Sequence, residues 1–203
     1  MTDGGDRSWH EAAGPDGATP LSDDERDGLR LSWVATRDDL NAAEAANIAQ
    51  ALRERRWRRC STAQLLDDLT LRQLHRSMFG DVWKWAGTYR TTEKNIGSDP
   101  DHIAVRVRDL CADATYWFQA HRGDDEAGCR FHHRLVSIHP FANGNGRHAR
   151  AVTDLLMRSI GAAEFSWGRA SLVCASDTRD SYIAALRSAD AGDLEALLSF
   201  VRS

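Results

Sequence analysis

The sequence predicts a mostly α-helical domain that carries one small β-hairpin flap. Three observations lead there. Apolar residues recur three and four apart through most of the chain beyond Thr36, as one buried helix face requires. Only one stretch, Gly87 to Gly97, is rich in strand formers, and it closes on the turn signal Ser98-Asp99-Pro100. A glycine-spaced loop within residues 137–150 then interrupts the helical pattern. A helix-turn-helix DNA reader is also all α, but it needs neither the hairpin nor this loop.

The elements follow in order. Residues 1–20 are polar and rich in Gly and Pro, with too few apolar groups to offset ordering entropy. They read as a disordered tail ahead of one domain, 21–203. Thr36-Arg37-Asp38-Asp39 has the form of a capping box and opens a helix through Leu40, Ala43, Asn47, Ile48, Ala51 and Leu52. The run Arg53–Arg59 sets five arginines and one glutamate around Trp57. It reads as a solvated helix end, where cations suit the dipole; a nucleic-acid patch is the alternative. Residues 62–79 form one or two short helices, with Leu65, Leu66, Leu69, Leu74, Met78 and Phe79 apolar. Trp83 and Trp85 read as core aromatics whose indole nitrogens need partners. Beyond the hairpin, helices are expected over about 105–123, 124–138 and 145–159, the last stopped by Gly161. Two more are expected near 177–189 and 193–202.

Composition excludes several function classes. The chain has 203 residues, 26 basic and 30 acidic, for a net charge of −4. That balance argues against direct nucleic-acid binding. No apolar run reaches the ~18–20 residues of a membrane helix. The acidic N-terminus lacks an apolar segment, so the expected location is the cytoplasm, with all four cysteines as reduced thiols. No two cysteines form a C-x-x-C pair, and His132-His133 lack the spacing of a zincin, so neither reads as a zinc site. Of the basic residues, only Lys84 and Lys94 are not arginine.

Chemistry concentrates in Ser137-Ile-His139-Pro-Phe141-Ala-Asn143-Gly144-Asn145-Gly146-Arg147-His-Ala-Arg150. Two glycines one residue apart allow positive φ and close approach of a ligand. They stand just before a helical pattern, and a helix N-terminus attracts anions. Arg147 and Arg150 are three apart on one helix face, and their planar forks suit phosphate oxygens. His139 sits one loop away, and histidine is the side chain whose unperturbed pKa of about 6.5 suits proton transfer near neutrality. Asn143 offers a carbonyl oxygen to a hard metal. The residues read together as a phosphate cradle beside a base. Neither a P-loop nor a Rossmann pattern is present.

This stretch resembles the Fic domain, whose signature is H-P-F-x-[DE]-G-N-G-R-x-x-R. Residues 139–150 match it at every specified position but one. Trp83–Arg90 is similar to the segment preceding the family's flap, and Arg179–Leu186 to its C-terminal helix. Thr91–Gly97, Phe131–Leu135 and Phe165–Gly168 are similar to the branch called mobile mystery protein B. The resemblance covers roughly residues 30–203.

It implies transfer of AMP from ATP to a Ser, Thr or Tyr hydroxyl of a target protein, with Mg²⁺. His139 would be the catalytic base. Gly144, Asn145, Gly146, Arg147 and Arg150 would hold the phosphates. Thr92, Glu93, Lys94, Asn95 and Ile96 would form the flap that docks the target. Asn143 stands at the acidic position, the family's metal ligand, and lacks its charge. Weaker metal binding is therefore expected, and a nucleotide-binding module without transfer is the alternative. The family's self-inhibitory pattern, Ser/Thr-x-x-x-Glu-Gly/Asn, is absent, which implies a toxin or regulator controlled in trans by a small antitoxin or helix-turn-helix partner.

Overall fold

The computed structural model describes residues 21–120, 124–168 and 175–203. The expected tail at 1–20, the expected helix stop near Gly123 and Cys174 lie outside the described residues.

The first element is one helical turn, α1 (Asp23–Arg26), fixed by a capping box between Ser22 and Glu25. The chain then pairs briefly with a later segment: Leu29 bridges Trp83 antiparallel, Arg30 N–H donates to Val82 O at 2.8 Å, and Lys84 N–H donates to Gly28 O at 2.8 Å. Thr36 and Asp39 form the expected capping box at the start of α2 (Arg37–Arg53). Its inward face is Leu40, Glu44, Asn47 and Ala51. The helix does not run on through the arginines. Glu54 takes an extended conformation, and a separate turn, α3 (Arg55–Arg58), follows. The break drives Trp57 into the core at 3% exposure, while the arginines around it stay outside.

Residues 62–79 split into α4 (Thr62–Leu65) and α5 (Asp68–Phe79), capped by Ser61 and Asp67. Then come α6 (Ile103–Ala120), α7 (Asp125–Ile138), α8 (Asn145–Ser159), α9 (Ala175–Asp190) and α10 (Glu195–Arg202). Helix α8 is the hub. It packs against α3, α4, α5 and α7, and it buries His148, Ala149, Ala151, Val152, Thr153, Leu155, Leu156 and Met157. A helix buried on most of its circumference cannot be merely amphipathic. Small residues at 149 and 151 admit neighbours closely, while each large apolar side chain stabilises by about 2 kcal/mol. Helix α2 lies on α5, α6 on α7, and α10 on both α9 and α7. Among the described residues no helix is long and apolar enough to cross a membrane.

The expected β-hairpin is not formed. Residues 91–99 make no strand; they run as an irregular loop. Their local propensity loses to tertiary anchors. The Arg90 guanidinium collects the carbonyls of Thr92, Ser98 and His139, and Ser98 N–H donates to Ile138 O. Backbone groups spent on these partners cannot form a ladder. The expected core aromatics are in place: Trp83 is wholly buried with Nε1–H on Glu44 Oε1 at 2.6 Å, and half-buried Trp85 donates to Glu25 O at 2.9 Å.

Three histidines are sealed inside. His75, His132 and His148 are all at most 1% exposed. Burial holds each in its neutral form, pushing His132 down to about 3, His148 to about 4, and His75 well below the ordinary range. The unfolded chain therefore binds more protons than the folded one between pH about 6.5 and about 3. Stability is expected to hold above pH about 6.5 and to fall as pH drops through that window. Urea midpoints measured from pH 7 to 4 check this; a flat profile would contradict it.

Candidate active site

The loop 139–144 joins α7 to α8 through the middle of the domain, and side chains complete its hydrogen bonding. Asn145, the first residue of α8, turns inward: Oδ1 accepts Phe141 N–H at 2.9 Å and Nδ2 donates to Phe141 O at 2.8 Å. The Phe141 ring lies against His75 at 3.7 Å between centroids and meets His148 edge-on. His75 Nδ1 accepts Gly87 N–H at 3.0 Å, so Nε2 carries the proton and donates to Asn143 O at 3.0 Å. Gly144 has φ 79°, and a Cβ there would meet the Phe79 ring at 2.5 Å, so only glycine fits this cap of α8.

His139 ends α7 in the left-handed region, φ 54° and ψ 59°. Glycine usually takes this cap; a histidine there accepts backbone strain to place its ring. Nδ1 lies 3.3 Å from Val136 O, which can only accept, so Nδ1 carries the ring proton and Nε2 the lone pair. The residue is 6% exposed, and burial, with the cations Arg90 and Lys94 nearby, lowers its pKa to about 4. It is neutral at pH 7, as a base must be.

Past the loop, the first-turn amides of α8 have no intrahelical carbonyl to donate to. Gly144 N–H is already taken by Asn143 Oδ1 at 2.6 Å. Gly146 faces open space: a Cβ there would meet nothing within 4 Å. The two arginines diverge. Arg147 is 38% exposed, donates to buried Glu44 at 2.7 Å, and lies over the Phe79 ring at 5.0 Å. Arg150 lies over the Tyr182 ring at 4.7 Å, and its buried Nε meets no acceptor. Tyr182 OH in turn pairs with His132 at 2.8 Å.

All the sequence-predicted residues of the loop and α8 therefore converge within one turn and one helix end, although the Asn145 side chain is spent inside the loop. The flap residues lie beside them. A Cβ on Gly97 would sit 2.7 Å from His139 Cβ, and Arg90 N–H donates to Pro140 O at 3.0 Å. Thr92 and Lys94 turn back onto Glu25, whereas Glu93, Asn95 and Ile96 face outward. His132 pairs with Tyr182 and His133 with Asp190. Glu44, His75, Arg90 and Tyr182 were not singled out from sequence. Only Glu44 left a signal there, a charge on the apolar stripe between Leu40 and Ala51.

The site thus brings a histidine in left-handed backbone, two glycines at a helix N-terminus and two diverging arginines together in a helical domain. Residues 65–157 match the family model described as Fic/DOC family, and the chain carries a Fic/DOC family domain. It is 30% identical over 141 residues to the protein adenylyltransferase fic-1 of Caenorhabditis briggsae, covering 67% of this chain and 26% of that protein. The chain thus spans about a quarter of the length of that relative. The N-terminal Fic domain of a VirB-translocated Bep effector from Bartonella quintana superposes with a TM-score of 0.69 at 17% identity, covering 88% of this chain and 91% of that one. Fic-1 of Caenorhabditis elegans gives 0.58 at 25% identity over 87% of this chain and 51% of that one.

The left-handed backbone at His139 has a measurable consequence. Both His139→Ala and His139→Gly delete the ring, but only glycine relieves the strain. The glycine variant is expected to be more stable than the alanine variant by about 1 kcal/mol, read from urea unfolding.

Proposed function

We propose that this chain is a protein adenylyltransferase, moving AMP from ATP to a hydroxyl of a target protein. The observation that carries the reading is His139, neutral, with its Nε2 lone pair set by the Val136 contact and standing between the flap loop and the open face of Gly146. The relative named above as a protein adenylyltransferase supports it.

In this reading the target's Ser, Thr or Tyr hydroxyl gives its proton to His139 Nε2 as its oxygen bonds to the α-phosphorus. The bond from that phosphorus to the β-bridging oxygen breaks, and pyrophosphate leaves. The amides of Asn145 and Gly146 and the face opened by Gly144 and Gly146 stabilise charge on the phosphates, with Arg147 and Arg150 on either side. Most of the acceleration then comes from positioning and fixed charge. Thr92, Glu93, Lys94, Asn95 and Ile96 offer the target an extended edge, with Glu93, Asn95 and Ile96 outward. Main-chain pairing to such an edge grips a peptide without dictating its sequence.

Mg²⁺ does not fit a resident site here. Among the described residues no cluster of three His, Cys, Asp or Glu could hold a metal. Asn143 brings one neutral oxygen, already accepting the Gly144 amide. Any Mg²⁺ therefore rests mainly on the nucleotide's own phosphates. The same observation favours a second reading, a nucleotide-binding module that has lost transfer. Control in trans, by an antitoxin or helix-turn-helix partner, and a toxin role belong to the proposal as well; they rest on the missing self-inhibitory pattern.

Incubation with ATP labelled in the α-phosphate separates the readings. Self-labelling that disappears in His139→Ala supports the transferase, and nucleotide binding without label at any Mg²⁺ or Mn²⁺ level supports the module. Asn143→Asp is expected to raise the transfer rate several-fold at limiting Mg²⁺ and little at saturation. An unchanged rate at limiting Mg²⁺ would refute the weak-ligand account.

A further inference from the structure

Outside the loop and α8, four chain segments build an open groove of about 580 Å³. Its walls carry Arg30, Arg56, Arg76 and Lys84 against one carboxylate, Asp81. The fold gathers these cations from far apart. The pairing of residues 28–30 with 82–84 brings Arg30 beside Lys84. Gly87 lets the loop after α5 close on Arg76; a Cβ there would meet Arg76 Cβ at 2.8 Å. The break after α2 swings Arg56 onto Ser77, Nη2 to Oγ at 2.7 Å.

Like charges brought together are unfavourable unless something offsets them. The protein supplies little. Asp81 already accepts from Asn47 at 3.2 Å, and Glu54 pairs with Arg56 at 2.6 Å. Arg30 and Arg76 meet no carboxylate among the described residues, and Lys84 donates only to the carbonyl of Asp27. The C-terminal dipole of α5 would favour one nearby cation, but its last carbonyls are already taken by the amides of Gly80, Val82 and Trp83. In a chain of net charge −4, this face is a local inversion of sign.

We propose that the groove binds the phosphate backbone of a nucleic acid strand. Three arginine forks and a lysine are donors matched to phosphate. The donors are exposed rather than enclosed, which suits a chain of anions passing over the groove more than one small anion sealed within it. Arg55 and Arg58, exposed on the same turn as Arg56, extend the charge beyond the groove. The Trp83 indole is fully buried and stacks on Trp85, so no aromatic platform is offered to bases. Recognition is therefore by backbone and independent of sequence. The run Arg53–Arg59, a solvated helix end on its own, becomes part of a positive face only when α5 and residues 28–30 are set beside it.

The test is fluorescence anisotropy of a labelled duplex of about 20 base pairs with the full chain, without ATP, between about 50 and 200 mM salt. If four cations each neutralise one phosphate, log Kobs falls against log salt with a slope of about −3.6. The double variant R30Q/R76Q is expected to bring that slope to about −1.8. R106Q/R108Q, which removes the same charge from exposed α6 positions, leaves it unchanged, as does His139→Ala. Absence of binding at the lowest salt, equal losses in the two double variants, or equally tight binding of polyglutamate would each overturn the proposal. Because no step of the assay involves transfer, these outcomes do not depend on the adenylylation reading.

Discussion

A loop through the centre of a helical domain must have its peptide groups paired, and this requirement organises the molecule. All of residues 139–144 except Asn143 are buried from water. Each buried carbonyl or amide left alone would cost about 1–3 kcal/mol. The partners come from everywhere: Asn145 on Phe141, His75 on Asn143, Arg90 on His139, and the amides of Arg90 and Ser98 on Pro140 and Ile138. The loop is therefore rigid because it is buried, and it can be buried because these groups meet it. The strained backbone of His139 persists for the same reason.

The cost of this arrangement shows in the titratable groups. His75 can bridge the Gly87 amide and the Asn143 carbonyl only while neutral, with one nitrogen accepting and the other donating. His139 shares the same dry surroundings, so the burial that fixes the scaffold also keeps its imidazole uncharged. Positioning of charge follows a similar logic. Glu44, buried on α2, divides its carboxylate between Trp83 and Arg147 and thereby sets the direction in which that guanidinium leaves the core. On the other side Tyr182 and His132 flank Arg150. The two guanidinium groups are thus oriented by side chains outside the loop.

The flap region shows how tertiary context overrides local preference. Thr91, Thr92 and Ile96 are good strand residues, and the sequence has a turn after them, yet no ladder forms. Arg90 takes three carbonyls of that neighbourhood, and Glu25 takes the side chains of Thr92 and Lys94. A trace of period two survives in the alternation of Thr92 and Lys94 inward with Glu93 and Asn95 outward. The segment keeps that alternation without a partner strand.

The longer helices, the capping box at Thr36, the glycine-spaced loop with His139, and the placing of Arg147 and Arg150 on one helix were legible in the sequence. These depend on spacings of a few residues, and local physics acts over that range. Glu44, His75 and Arg90 were not legible, because each works through a partner tens of residues away or more. The positive groove belongs with them: Arg30, Arg56 and Arg76 are ordinary surface arginines along the chain. Short-range patterning by itself determined the fold class and the chemistry on offer. Tertiary packing alone decided which polar groups are dry, which cations stand together, and which way His139 and the two arginines face, since burial and charge proximity exist only once distant segments meet.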